Sequence, residues 1–219
     1  VQTIQSLNLR NSILIDNTAS HEVSDLYIEL LQQGVGVVTC NKIACSSALK
    51  NYKALQKASI DQKVPFYYET NVGAGLPIID TLKNLIDSGD SIRSIVAVLS
   101  GSLNFIFDTY IATTSFKEVV EAAMSGGYTE PDPRIDLSGL DVKRKLLILA
   151  RESGFELELD AIQTAAFLPD GALETPNVEA FLSLLEANEQ HFASLYQEAK
   201  AKQQKLKFVA ELSVGADQH

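Results

Sequence analysis

Residues Gly126–Lys145, GGYTEPDPRIDLSGLDVKRK, divide into a loop and the start of a helix. The glycine pair ends the helix that precedes it, and the prolines at 131 and 133 keep Glu130 and Asp132 extended. Ser138 is a predicted N-cap, and strong helix formers follow from Leu140. The stretch therefore predicts a stiff acidic loop that folds back over the first turns of a helix.

Asp141 and Lys145 lie four residues apart on this predicted helix. They therefore share one face, with roughly 5–6 Å between their Cβ atoms. One interpretation is a solvated ion pair, because charge pairs on helices usually face water. The other is a polar substrate site, where carboxylates bind an amino group and the lysine transfers a proton. The spacing alone fits both.

Three short β-rich runs alternate with two helical segments in the first 71 residues. We predict strands at 12–16, 36–39 and 65–69, and helices over 20–33 and from Ser46 or Ser47 to about residue 59. Strand–helix–strand order implies right-handed crossovers and a parallel sheet. No Gly-x-Gly-x-x-Gly follows a strand, and that pattern cradles a pyrophosphate. Residues 1–71 are therefore predicted to form only the second half of a doubly wound, Rossmann-like domain.

The pattern changes after residue 71. We predict helices at 76–87, 102–111, 116–124, 140–150 and 178–202, and strands at 92–99, 157–167 and 205–214. Ser115 and Glu118 form a predicted capping box. Residues 72–219 thus read as an α+β domain with helices over a mainly antiparallel sheet. The uncovered face of the 92–99 strand predicts a dimer contact.

Polar residues follow the first two predicted strands. Asn17 and Thr18 follow the first, and Lys42 follows the second. Ligands of parallel α/β sheets bind at the carboxyl ends of strands. These residues are therefore candidates for a cofactor site, although ordinary turn and cap hydrogen bonds also explain them.

Glu69, Val72, Ala74 and Leu76 form a second candidate set. An extended backbone points alternate carbonyls the same way, so three carbonyls can converge with one carboxylate. Oxygen ligands of this kind suit a hard cation. A glycine-rich hinge between domains is the alternative.

Composition limits the class of protein. The chain has 219 residues, 46% of them hydrophobic, and a net charge of −10, which argues against nucleic acid and anionic membranes as partners. No apolar run approaches the length of a membrane span, and no signal peptide opens the chain. Cys40 and Cys45 have no histidine nearby and predict reduced thiols in a cytoplasmic protein.

Four runs carry a family resemblance. The segments GGYTEPDPRIDLSGLDVKRKLLILARESG, NVGAGLPIIDTLKNLIDSGDSIRSIVAVLSGSLNFIF, VVTCNKIACSS and SILIDNTAS resemble homoserine dehydrogenases in content and order. The resemblance covers most of the chain and is strongest to the dehydrogenase half of bifunctional aspartokinase/homoserine dehydrogenases. It implies NAD(P)-dependent interconversion of L-aspartate 4-semialdehyde and L-homoserine, in threonine, methionine and isoleucine biosynthesis.

The resemblance also implies roles for single residues. Lys145 would be the proton donor, with Lys42 near the same oxygen. Glu130 and Asp141 would bind the substrate, with close backbone approach at Gly127 and support from Asp136. Asn17, Thr18 and Lys42 would contact NAD(P). Glu69, Val72, Ala74 and Leu76 would hold a structural monovalent cation such as Na⁺. A homodimer or larger assembly and a fused aspartokinase domain are further implications.

Two alternatives compete with this interpretation. The first is a non-catalytic, dimerising α+β fragment that binds no cofactor, because the phosphate-binding loop is missing. The second is an aspartate-semialdehyde dehydrogenase, which handles the same aldehyde. That enzyme needs a cysteine nucleophile in its substrate domain, and this chain has no cysteine after Cys45.

Overall fold

The computed structural model describes residue 6 and residues 11–111 and 113–215. Two compact units are interleaved along the chain. The first takes in the described residues of Val1–Ser94, Arg144–Ile162 and Leu212–His219, and the second those of Ile95–Lys143 and Gln163–Glu211. The domain boundary that we predict after residue 71 stays a prediction.

The helices and strands of the described residues are, in chain order, β1 (Ile13–Asp16), α1 (His21–Asp25), α2 (Tyr27–Gln32), β2 (Gly36–Thr39), α3 (Lys42–Cys45), α4 (Leu49–Gln62), β3 (Phe66–Tyr67), α5 (Ile78–Asp87), β4 (Ser94–Ala97), α6 (Gly101–Thr109), α7 (Phe116–Ser125), α8 (Pro133–Leu137), α9 (Leu140–Glu152), α10 (Val178–Ala187), α11 (Glu189–Ala201) and β5 (Ala210–Ser213). Short 3₁₀ turns occur at Glu69–Asn71 and Leu159–Ala161. None of these described helices is both long and apolar enough to span a bilayer.

The first unit contains the predicted parallel sheet, in the order β1-β2-β3. Its β-branched and aromatic residues favour strands, and the register pairs Asp16 with Thr39, so β1 and β2 end level. Val37 and Phe66 are buried on one face, whereas Ile15 on the other face is 66% exposed. The mixed α/β architecture that we predicted is confirmed.

Residues 144–162 complete the first unit with a buried polar cluster. The Glu152 carboxylate, at the end of α9, accepts hydrogen bonds from the hydroxyls of Tyr52 (2.6 Å) and Tyr68 (2.7 Å). Lys83 Nζ lies 3.5 Å from its second oxygen. Charged hydrogen bonds offset the cost of burying this carboxylate, so these contacts hold the end of α9 in place.

The second unit has a helical core rich in aromatic residues. Phe116 and Phe192 stack with ring centroids 3.9 Å apart, and Tyr110 meets Phe116 edge-on at 5.4 Å. The Glu189 carboxylate accepts from Tyr110 Oη and from the Phe116 backbone N–H, both at 2.7 Å. Apolar stacking and one shared carboxylate therefore join α6, α7 and α11.

Local signals explain where several helices begin. Ser115 Oγ accepts from Glu118 N (3.1 Å), and the Glu118 carboxylate accepts from Ser115 N (2.9 Å), which confirms the predicted capping box. The predicted loop at 131–137 is partly wrong, because Asp132 caps α8 and Pro133 occupies its first turn. Ser138 is the C-cap of α8, and its Oγ also accepts from Leu140 N, at the start of α9, at 3.2 Å.

Five other predicted elements, two helices and three strands, differ from the structure. The helices expected at 20–33 and 178–202 are each broken in two, at Leu26 and Asn188. The strand expected over 157–167 is absent from the described residues, because the Arg151 guanidinium binds the Leu157 carbonyl (3.0 and 3.2 Å) and ties that segment to α9. The 92–99 and 205–214 strands shorten to β4 and β5, which pair with each other.

Candidate active site

The predicted cofactor residues lie at the carboxyl edge of the sheet in the first unit. Asn17 and Thr18 are exposed in the loop that follows β1, and Thr18 Oγ1 accepts from Ser20 N at 3.1 Å. Lys42 is half-buried and opens α3, whose N-cap is Asn41. The three residues therefore share the edge at which α/β proteins bind ligands.

Buried polar side chains lie beneath this edge, and they were not among the site residues that the sequence predicted. Asp16, Thr39 and Asn41 are each 2% exposed, and Tyr27 is fully buried among them. Two of them, Asp16 and Thr39, end apolar strands, so the signal available in the sequence was a polar residue closing each strand. They lie beneath the loops that carry the predicted cofactor residues and form hydrogen bonds with them.

The loop after α7 carries the predicted substrate residues of the second unit. Gly127 has a φ of +69°, a left-handed conformation that a side chain would strain, and it turns the chain out of α7. The Glu130 backbone N–H donates to Asp136 Oδ2 at 2.8 Å, and Ser102 Oγ donates to Asp136 Oδ1 at 2.8 Å. Asp136 thus joins this loop to the start of α6.

Arg134 gives the same loop a second anchor that sequence patterns did not reveal. Its guanidinium makes a bidentate ion pair with Asp132, at 2.9 Å from Nε and 2.5 Å from Nη2. Nη1 also donates to the Thr175 carbonyl. The Asp132 carboxylate has a lowered pKa, chiefly because of the hydrogen bonds from Arg134. The loop is therefore held at both ends of α8.

A cavity of about 490 Å³ opens beside Ser102 and Gly127 in the second unit. Its lining comprises the start and one face of α6 and the loop after α7: Gly101, Ser102, Asn104, Phe105, Asp108, Thr109, Gly127 and Tyr128. Tyr128 stacks on Phe105 with centroids 4.2 Å apart. The cavity is large enough for a small polar metabolite and contains the Ser102 hydroxyl that binds Asp136.

Helix α9 carries Asp141 in its first turn and Lys145 one turn later. Both side chains are half-buried, while Val142 and Leu146 on the neighbouring face are buried. Packing of that apolar face holds the helix and projects the polar pair from one side of it. Their roles in substrate binding and proton transfer stay predictions.

The predicted cation residues surround a tight turn in the first unit. Glu69 accepts from Ile79 N and Asp80 N, both at 2.8 Å, and thereby caps α5. Gly73 and Ala74 have φ values of +85° and +52°, which reverse the chain between Val72 and Leu76. Among the residues that the structure describes, no group of three or more His, Cys, Asp or Glu side chains suits a metal. The cation site stays a prediction, resting on one carboxylate and backbone carbonyls.

Comparison with known proteins identifies the chain's relatives. The family described as homoserine dehydrogenase matches residues 77–218, and the homoserine dehydrogenase NAD-binding domain matches residues 1–69. The bifunctional aspartokinase/homoserine dehydrogenase of Haemophilus influenzae is 42% identical over 205 residues, covering 94% of this chain and 25% of that protein.

Solved structures agree with the sequence match. A crystal structure of a Candida auris protein of unknown function superposes with a TM-score of 0.90 at 33% identity, over 96% of this chain and 61% of that one. A hyperthermophilic archaeal homoserine dehydrogenase in complex with NADPH gives a TM-score of 0.58 at 32% identity, over 64% and 43% of the two chains. The chain thus spans about a quarter of the length of the bifunctional relative and less than two thirds of either structure. On the match of residues 77–218 to the family's own domain, this chain belongs to the homoserine dehydrogenase family.

Proposed function

We propose that this chain carries the catalytic site of an NAD(P)-dependent homoserine dehydrogenase, which interconverts L-aspartate 4-semialdehyde and L-homoserine. The observation that carries the proposal is the Asp136 carboxylate, which joins the Glu130 loop to the Ser102 hydroxyl beside the cavity. This arrangement gives a small polar substrate a preorganised site within the segment that matches the family domain.

Each protein group has one task in this reaction. Asp141 and Glu130 bind the ammonium group of the amino acid, because carboxylates form strong charge-assisted hydrogen bonds with it. Lys145 gives a proton to the oxygen that becomes the homoserine hydroxyl, and Lys42 stabilises charge on that oxygen. A nicotinamide cofactor, when bound, supplies the hydride.

The cofactor proposal rests on the carboxyl edge of the sheet. Asn17, Thr18 and Lys42 are accessible there, and the archaeal relative of known structure binds NADPH. A monovalent cation held by Glu69, Val72, Ala74 and Leu76 would stiffen the turn between this edge and α5. We further propose that the protein carries a fused aspartokinase domain, as the Haemophilus influenzae relative does. We also propose that it is cytoplasmic.

Enzyme assays test the main proposal. The protein at its natural length should reduce NADP⁺ or NAD⁺ when L-homoserine is added and should oxidise the reduced cofactor when the semialdehyde is added. Saturable NADP(H) binding to the 219-residue chain would argue further against a non-catalytic module. Absence of both turnover and binding would overturn the proposal.

Replacing Asp141 with alanine should weaken substrate binding more than folding. A half-buried helix carboxylate contributes about 0.5 kcal/mol or less to stability, whereas an ammonium partner contributes on the order of 2 kcal/mol to binding. Calorimetric titration with homoserine and a urea melt measure the two effects. Equal losses of binding free energy and unfolding free energy would indicate that Asp141 only forms an ordinary ion pair on the helix.

We also propose a homodimer formed through the second unit. Val96 on β4 is 67% exposed, and Val98 and Val209 are each 45% exposed, so apolar residues cluster around the β4-β5 pair. Val96→Glu should shift the sedimentation coefficient toward that of a monomer. Ile60→Glu, at an equally exposed apolar residue of α4, is the control and should leave it unchanged. A wild-type protein that sediments as a strict monomer at micromolar concentration would contradict this proposal.

A further inference from the structure

A buried polar cluster lies under the carboxyl ends of β1 and β2, and the proposed chemistry uses none of its members. Asp16, Thr39 and Asn41 are 2% exposed and Tyr27 is fully buried. Burying a carboxylate at the end of a mainly apolar strand is costly unless its charge is matched by hydrogen bonds. The buried Asp16 carboxylate lies within two residues of the proposed cofactor residues Asn17 and Thr18, and the free-energy cost of burying it calls for a physical reason.

The Asp16 carboxylate is the centre of the cluster. Its Oδ1 accepts from the Thr18 backbone N–H at 2.7 Å. Its Oδ2 accepts from the Tyr27 hydroxyl and from Asn41 Nδ2, the latter at 3.2 Å. Burial opposes ionisation of Asp16, but these hydrogen bonds outweigh it and hold the pKa of the carboxyl below its ordinary value. Asp16 therefore binds both of the loops that leave the sheet.

Asn41 links the Asp16 carboxylate to the helix turn that begins with Lys42. Its Nδ2 donates to Asp16 and also to the Ser20 carbonyl, at 2.9 Å, so it joins the end of the first loop as well. Its Oδ1 accepts from Ile43 N at 3.1 Å and caps α3, whose first residue is Lys42. The backbone position of Lys42 thus depends on the orientation of the Asn41 amide.

Tyr27 braces the same cluster from α2. Its hydroxyl donates to Asp16 and lies 2.8 Å from Thr39 Oγ1, which in turn accepts from Asn41 N at 2.8 Å. Burial, and then the hydrogen bond to Asp16, raises the pKa of this hydroxyl, so it stays a neutral donor. Tyr27, Thr39 and Asn41 therefore close a ring of hydrogen bonds around the carboxylate.

We propose that Asp16 is a positioning residue of the cofactor site, which fixes the 17–20 loop and the 40–42 turn relative to each other without touching a ligand. The inference rests on the proposed function, because its consequence is the placement of Asn17, Thr18 and Lys42. Three donors converge on the carboxylate, and two of them are N–H groups that cannot accept a hydrogen bond. An asparagine in this place would turn its NH₂ toward one of those two N–H groups, whichever way it is oriented.

Asp16→Asn tests this directly in the protein at its natural length. NADPH affinity should weaken by about tenfold or more, which corresponds to about 1.4 kcal/mol, and kcat should fall because Lys42 is displaced. Tyr52→Phe is the control for a general loss of stability and the counterpart of Tyr27→Phe, because it removes a buried hydroxyl that donates to a carboxylate in the same unit, 2.6 Å from Glu152. The control should lower the melting temperature while leaving NADPH affinity and kcat within about twofold.

Fluorescence titration, steady-state rates and thermal melts separate the outcomes. If the wild type neither binds NADPH nor oxidises homoserine, the proposed function fails. If the wild type is active and Asp16→Asn keeps its affinity and kcat while melting lower, the positioning role is overturned. If Asp16→Asn does not fold, Tyr27→Phe tests the same positioning role. It should weaken NADPH binding by about threefold where Tyr52→Phe does not, because it loosens the ring around Asp16, and equal effects of the two variants would also overturn the role.

Discussion

Replacing Lys145 with alanine in the protein at its natural length should lower kcat by about 10²–10⁴, the range typical of losing a general acid. Homoserine affinity should change far less, because the lost interaction develops in the transition state and contributes little to the ground state. Steady-state rates in both directions, together with a homoserine titration, measure the two effects. A large change in KM with an unchanged kcat would assign Lys145 to binding.

Lys145→Arg distinguishes proton donation from charge alone. Arginine keeps the positive charge but cannot release a proton near neutral pH, so the rate should not recover. Lys143→Ala is the control, since Lys143 is a half-buried lysine on the same helix but on a different face. It should leave kcat within about threefold, the scale of a weak surface interaction. A Lys145→Arg variant with nearly wild-type turnover would contradict the proton-donor role.

Replacing Glu152 with alanine should cost about 3–5 kcal/mol of unfolding free energy, the loss expected when one partner of a buried charge cluster is removed. The side chain is 4% exposed, and its removal would leave the hydroxyls of Tyr52 and Tyr68 without their acceptor. Lys83 would lose a counter-charge as well. Urea unfolding followed by circular dichroism measures the loss.

Glu156→Ala is the matched control for this prediction. Glu156 also pairs with a lysine, Lys53, at 2.5 Å, but the two side chains are 66% and 52% exposed. Exposed pairs contribute about 0–1 kcal/mol, so the control should hardly move the urea midpoint. Similar midpoints for the two variants would show that the Glu152 cluster is no more stabilising than a surface pair.

Patterns within a few residues predicted much of the fold. The β1 and β2 strands, the capping box at Ser115 and the amphipathic α5 were all found from adjacent residues, because propensity and capping act over one or two turns. The α8 helix was also signalled locally, by Asp132 before Pro133. The rule that a residue before proline is extended predicts a loop here, whereas Pro133 occupies the first turn of a helix that Asp132 caps.

In the candidate site, too, some residues were predictable from short sequence patterns and their distant partners were not. The order of motifs and the polar residues after each strand pointed to Asn17, Thr18 and Lys42, and the structure brings these three to one edge of the sheet. Asp136 was expected to support the substrate loop, but its partner was not identifiable. Ser102 lies 34 residues earlier in the chain, and nothing in the spacing marks that hydrogen bond.

The sequence by itself determined the class of fold, the family and the segments that carry the proposed chemistry, since these depend on periodicity and on short ordered motifs. Only the tertiary structure decided which polar side chains hold those segments in place. Asp16 binds Asn41 across 25 residues, and Glu152 binds Tyr52 across 100. The physical reason is that a buried carboxylate must find donors wherever the packed chain supplies them, and hydrogen bonds over such separations leave no periodic trace in the sequence.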